Sequence, residues 1–131
     1  MRIAQTLIDE IVAHSREEAP NECCGVVGGR DGRPMTVYRA ENEYASPLRF
    51  RIADQFAVNK AVEDAGEELV GMYHSHTRSE AYPSQTDVNL AHWWPGLCWF
   101  ICSLADPAAP VVRVFWIRDK AVEEVELVVE D

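Results

Sequence analysis

The chain has 131 residues, enough for one hydrophobic core and too few for two, and its 47% hydrophobic and 26% charged composition is that of a folded globular domain. Its formal net charge of -10 excludes general binding to DNA, RNA or an anionic membrane, since each needs a basic face. No apolar stretch is long enough to span a bilayer, the N-terminus carries no secretory signal, and the four cysteines form no Cys-x-x-Cys pair, so the expectation is a cytoplasmic protein with reduced, packed thiols.

Leu7, Ile8, Ile11 and Val12 recur at helical spacing and predict a first helix over Thr6–Glu18, with Thr6 and Asp9 as a capping box and Pro20 as its stop. His14, on this helix, reads as a surface or half-buried histidine rather than a ligand. The run from Cys23 to Gly29 reads as a buried strand, turned at Asp31-Gly32 into a hairpin partner over Met35–Ala40. Leu48, Phe50 and Ile52 alternate with Arg49 and Arg51 and predict a half-buried strand. A second helix is expected from Asp54 to Gly66, presenting Phe56, Ala57, Ala61 and Val62. Leu69–Ser75 is a strand, Ser84 to Trp93 a short helix, and Leu97–Leu104 a central strand that puts Cys98 and Cys102 on one face. Val111–Ile117 and Val122–Val129 alternate and are expected to pair across Asp119-Lys120. The sum is one α/β domain over residues 1–131, a mixed sheet with helices packed on it. Arg39, Arg49, Arg51 and Arg78 read as solvated surface charges.

The stretch from Gly71 to Asp87 carries the chemistry. His74 and His76 lie at a strand end, where residues two apart share a face, so both imidazoles can aim at one point. Asp87 follows across a loop containing Pro83 and can supply a third ligand; three protein ligands with one open position is the pattern of a catalytic zinc site. Ser84 and Asp87 also fit a capping box, and taken alone that bland reading is the stronger one. A zinc hydrolase further needs a carboxylate to move the proton. Glu17, Glu18, Glu22, Glu41, Glu43 and Glu80 are the candidates, and residue physics alone does not choose among them. Trp93 and Trp94 are compatible with cleft covering, partner docking or core packing at a helix end.

His74-Ser75-His76, then Ser84 and Asp87 at their spacing, together with Pro20, Glu22, Cys24 and Gly25 upstream, resemble the signature of the JAMM (MPN+) metalloproteases, and the likeness runs over nearly the whole chain. The resemblance implies an MPN domain of cytidine-deaminase-like fold, one Zn2+ held by His74, His76 and Asp87, Glu22 as the base that activates water, and Ser84 as a hydrogen-bond partner of the zinc-bound water or the oxyanion. Ser75 would face away and be structural. The connection after Asp87 is about ten residues and leaves no room for a large insertion. The Thr77–Asp87 run, with Glu80-Ala-Tyr-Pro-Ser, resembles that of the small bacterial peptidases of the Mec type. That likeness implies a ubiquitin-like sulfur-carrier protein with a C-terminal Gly-Gly tail as partner, and release of an attached cysteine (or homocysteine). Trimming of a carrier's C-terminus and noncatalytic binding of ubiquitin-like proteins are the alternatives. The oligomeric state is open, a homodimer included.

Overall fold

The elements of the computed structural model, which describes residues 1–131, run in the order β1 (Arg2–Ala4), α1 (Gln5–Glu18), β2 (Cys24–Arg30), β3 (Arg33–Ala40), α2 (Gln55–Asp64), β4 (Glu68–His76), α3 (Gln85–Ala91), β5 (Cys98–Ser103), β6 (Val111–Arg118), β7 (Ala121–Val125) and β8 (Val128–Glu130). Six strands form one mixed sheet in the order β3-β2-β4-β5-β6-β7. All its pairings are antiparallel except β4–β5, which is parallel because α3 provides the crossover between them. No helix is long and apolar enough to cross a membrane.

Strand alternation divides the core into two layers. Tyr73, Cys98, Phe100 and Cys102 pack on one face with Leu7 and Ile11 of α1, whereas Met72 and Trp99 pack on the other with Val62 of α2 and Ala91 of α3. Helices thus cover both sides of the sheet. Cys98 and Cys102 share a face as expected, and all four cysteines are free and buried. Ser75 lies on the α1 side and its Oγ accepts the Cys23 N–H at 2.9 Å, a structural bond on the face opposite the two histidines.

Several expectations are corrected. Helix α1 begins at Gln5 with Ala4 as N-cap, so Thr6 and Asp9 form no capping box; Gln5 instead bonds Asp9 one turn on, at 2.9 Å. His14 is buried and shares a 2.7 Å hydrogen bond with the Tyr73 hydroxyl; burial, then the nearby Arg39 charge, lowers its pKa and keeps it neutral. Residues 48–52 are not a strand: a single bridge, Asn42 to Ile52, is all the pairing there, although Phe50 and Ile52 are buried as their alternation suggests. Of the four residues expected to face inward on the second helix only Val62 does; Phe56, Ala57 and Ala61 are exposed. The inward stripe of α2 is Val58 and Val62 at i and i+4, and Phe56 lies about 140° from its centre around the axis. The 122–129 segment divides into β7 and β8, and β8 pairs in parallel with β1 in a separate two-stranded sheet that ties the chain ends together.

Gly25 sits where the sheet admits no side chain. A Cβ there would stand 2.4 Å from both the Tyr38 carbonyl oxygen and the Tyr73 ring. Gly25→Ala is expected to destabilise the fold by about 3 kcal/mol, read as a lower midpoint in urea unfolding with an unchanged slope.

Candidate metal centre and active site

β4 ends the parallel pair, and its last alternate residues, His74 and His76, both point to the α2/α3 face. A loop then leads to Ser84, the N-cap of α3. The Ser84 Oγ accepts the Asp87 N–H at 3.1 Å, and Asp87 Oδ2 accepts the Ser84 N–H at 3.0 Å, a reciprocal capping box. The same box aims Asp87 Oδ2 at the histidines. It lies 3.0 Å from His74 Nε2 and 3.1 Å from His76 Nε2, and the two ring nitrogens are 3.1 Å apart. The capping and ligand readings of Asp87 therefore coexist in one side chain.

The donor set suits a divalent metal. His74, His76 and Asp87 are all buried, and their three ligand atoms lie within 4.8 Å of one another. His76 Nδ1 donates to the Glu80 carbonyl at 2.9 Å, which leaves its Nε2 lone pair facing the cluster. His74 Nδ1 meets no hydrogen-bond partner; its ring is oriented by stacking on Phe50, with centroids 4.4 Å apart, and by an edge contact with Trp99. Burial disfavours the Asp87 carboxylate, but His74, His76 and the Ser84 N–H overcome it and hold the carboxyl well below its usual range. Burial likewise works against charge on His76, yet Asp87 and the Glu80 carbonyl raise its pKa. Imidazole and carboxylate donors with one fixed tautomer are what zinc accepts.

Glu22, alone among the candidate glutamates, is buried. Burial, with a smaller push from the Asp87 charge, raises its carboxyl to about 8 against the pull of His76. The β2–β4 register, which pairs Cys24 with His74, brings the residues just ahead of β2 alongside the end of β4. A carboxyl in that range can both take and give a proton near neutrality. Its backbone is clamped by the 41–53 loop: the Glu22 N–H donates to Ser46 O at 2.8 Å, and its carbonyl accepts from Asn42 Nδ2 at 3.0 Å. Asn42 is the residue that sequence reasoning missed. Its Nδ2 also donates to Arg49 O at 3.0 Å, and its Oδ1 accepts the N–H groups of Tyr44 and Arg51 at 3.1 Å. The only sequence signal was an amide able to make four such bonds.

Two cavities flank that loop. One, of about 730 Å³, is mostly apolar, with Tyr44, Phe50, Ile52, Met72, Trp93 and Trp94 in its wall, and is bordered by Arg49 and Arg51. Trp93 is exposed and Trp94 half-buried, so neither is a fully packed core residue. The other, of about 430 Å³, is polar and includes Glu22 in its wall.

The family described as prokaryotic homologs of the JAB domain matches residues 4–118. The chain belongs to this JAB (JAMM/MPN) family. It is 41% identical over 126 residues to the CysO-cysteine peptidase of Mycobacterium tuberculosis, covering 93% of this chain and 86% of that one. It is 36% identical over 112 residues to the desampylase of Haloferax volcanii, covering 79% and 80%. The solution structure of a protein from Desulfitobacterium hafniense superposes with a TM-score of 0.89 at 35% identity, over 100% of this chain and 94% of that one. The mixed sheet is thus that of a JAB domain, and in this chain the two histidines meet α3 at the C-terminal end of the interior strand β4.

A Glu22 pKa raised in the folded state means that its contribution to stability is present below the unfolded value of about 4.5 and is lost as pH rises through about 8. In metal-free protein, Glu22→Gln is therefore expected to match the parent near pH 4 and to exceed it by about 2–4 kcal/mol near pH 9. Urea unfolding in chelator across that range checks the sign.

Proposed function

We propose that this chain is a zinc peptidase that hydrolyses the bond between the C-terminal glycine of a ubiquitin-like sulfur-carrier protein and an attached cysteine (or homocysteine). The observation that carries the reading is the meeting of Glu22 with the His74–His76–Asp87 cluster, in a chain so similar to a CysO-cysteine peptidase. We infer that residues 1–131 act as one JAB domain, with His74, His76 and Asp87 as metal ligands. Zinc held there would polarise the scissile carbonyl and acidify water. Glu22 takes a proton from the attacking water as the carbonyl carbon is attacked, then hands it to the leaving nitrogen as the C–N bond breaks. The products are the carrier's glycine carboxylate and a free amine. Ser84 Oγ uses a lone pair to cap α3, which leaves its O–H free to donate to the developing oxyanion. Asn42 fixes Glu22 through its carbonyl. The apolar cavity beside Phe50 suits a carrier surface and its extended Gly-Gly tail.

The similarity to a desampylase favours a second reading, in which the leaving amine belongs to a protein side chain. Noncatalytic binding has no support, since it leaves the clamped, buried Glu22 without a purpose.

The zinc-loaded protein is expected to convert a carrier–Gly-Gly-Cys conjugate to carrier and cysteine, seen by intact-mass spectrometry; an unchanged conjugate removes the cysteine reading. Glu22→Gln should bind one zinc per chain yet lose 10²–10⁴-fold in kcat, about what general acid–base catalysis supplies. Asp87→Ala should lose the metal itself, measured by zinc stoichiometry. Asn42→Asp keeps the acceptor for Tyr44 and Arg51 but loses the donor to the Glu22 and Arg49 carbonyls; kcat should fall about tenfold with zinc content retained, because the ligands are unchanged while the base is misplaced.

A further inference from the structure

Residues 77–83 join His76 at the end of β4 to Ser84 at the start of α3, so they span the ligand set. The segment has no helix or strand of its own, and its shape comes from what it rests on. Ala81 is buried against Ile101 of β5 and Phe115 of β6, and the Tyr82 ring meets Phe115 edge-on with centroids 5.5 Å apart. Its polar anchor is Ser103. The parallel register sets Ser103 of β5 beside His76 of β4, and strand alternation puts both on the α2/α3 face. The Ser103 side chain is buried, and its hydroxyl bonds in both directions: Oγ donates to the Ser79 carbonyl at 2.6 Å and accepts the Ala105 N–H at 3.1 Å. One residue on from Ser79, the Glu80 carbonyl accepts both the Tyr82 N–H and His76 Nδ1–H, each at 2.9 Å.

We infer that Ser103 is a positioning residue for the metal centre: by holding the 77–83 segment it fixes the Glu80 carbonyl, and with it the ring of His76. The inference rests on the metal-ligand reading of His74, His76 and Asp87 and adds to it a residue outside the ligand set. The two histidines are supported unequally. His74 is oriented by packing against Phe50 and Trp99, and its Nδ1 has no hydrogen-bond partner. His76 depends on a carbonyl of an irregular segment whose residues 78–80 are exposed. Water competes for such a carbonyl, so it orients an imidazole only where its backbone is pinned. The Ser103 hydroxyl supplies the pin one peptide away, and the Leu104 N–H closes the circuit by donating to the His76 carbonyl at 2.9 Å. Loss of an outer partner of a metal-binding histidine costs about 10–100-fold in metal affinity, which sets the scale of the effect.

The test measures zinc affinity by competition with a chromogenic chelator. Ser103→Ala deletes the hydroxyl, and Ser103→Thr against Ser103→Val, nearly equal in volume, separates the hydroxyl from packing. The Ala and Val variants should bind zinc about 10–100-fold more weakly, with the Thr variant close to the parent. In metal-free protein at one pH, NMR should show the His76 Nδ1 proton exchanging with water at least about tenfold faster in the Ala and Val variants than in the parent. A merely structural role would lower the urea midpoint while leaving both the zinc affinity of folded protein and this exchange unchanged, and that result overturns the inference. Equal zinc affinity in the Thr and Val variants overturns it as well. Should the Ala and Val variants not fold, the parent decides. One opening must then expose the His76 Nδ1 proton and the N–H groups of Tyr82 and Ala105 with the same protection, and separate opening of Ala105 sinks the proposal. A parent that binds no zinc overturns the ligand reading, while exchange of the His76 proton still decides whether Ser103 holds the ring.

Discussion

Everything in the site depends on Asp87 Oδ2 being shared. One oxygen closes the capping box of α3 and also faces two imidazole nitrogens, all at 3.0–3.1 Å. Buried polar groups brought this close are costly unless their charges and protons are matched. Here the match is built from the backbone outward: the cap sets the carboxylate, the carboxylate sets the imidazoles, and the Glu80 carbonyl sets the tautomer of His76. A helix of only seven residues would be marginal alone, so α3 and the ligand cluster stabilise one another.

The second constraint is the 41–53 loop. It has almost no sheet pairing, yet one side chain gives it four hydrogen bonds. Through Asn42 and Ser46 it fixes the backbone of Glu22, and through Phe50 it stacks against His74. One irregular segment thereby sets the relative position of the proposed base and a proposed ligand. That coupling explains why Glu22 is buried while the other candidate glutamates stay in or near water.

What the sequence made legible follows from range. The strand ending in His74 and His76, the turn at Asp31-Gly32, Gly66 closing α2 and Ser84 capping α3 are encoded by residues a few positions apart, and each stands where local chemistry puts it. The choice of Glu22 was not local. Its burial comes from a loop some twenty residues downstream, and only the motif resemblance singled it out. Alternation at Leu48, Phe50 and Ile52 found two inward residues, Phe50 and Ile52, but Leu48 is exposed and the backbone is not a strand, because Asn42 took the hydrogen bonds a neighbouring strand would have made. The β1–β8 pairing joins three-residue strands from opposite chain ends, too short for any periodicity to show. Arg39 reads in sequence as a solvated charge, and its side chain is indeed about half exposed, paired with Glu17 of α1.

The two faces of the sheet carry different duties. Strand alternation puts His74 and His76 on the α2/α3 face, where Phe50 and Trp99 orient the His74 ring. On the α1 face Tyr73 bonds His14, Ser75 Oγ accepts the Cys23 N–H, and Arg39 pairs with Glu17, contacts that join α1, β2, β3 and β4 to one another. The α1 face therefore holds the strand that presents the histidines without supplying a group to the cluster, and substitutions there act on stability rather than on the ligand set.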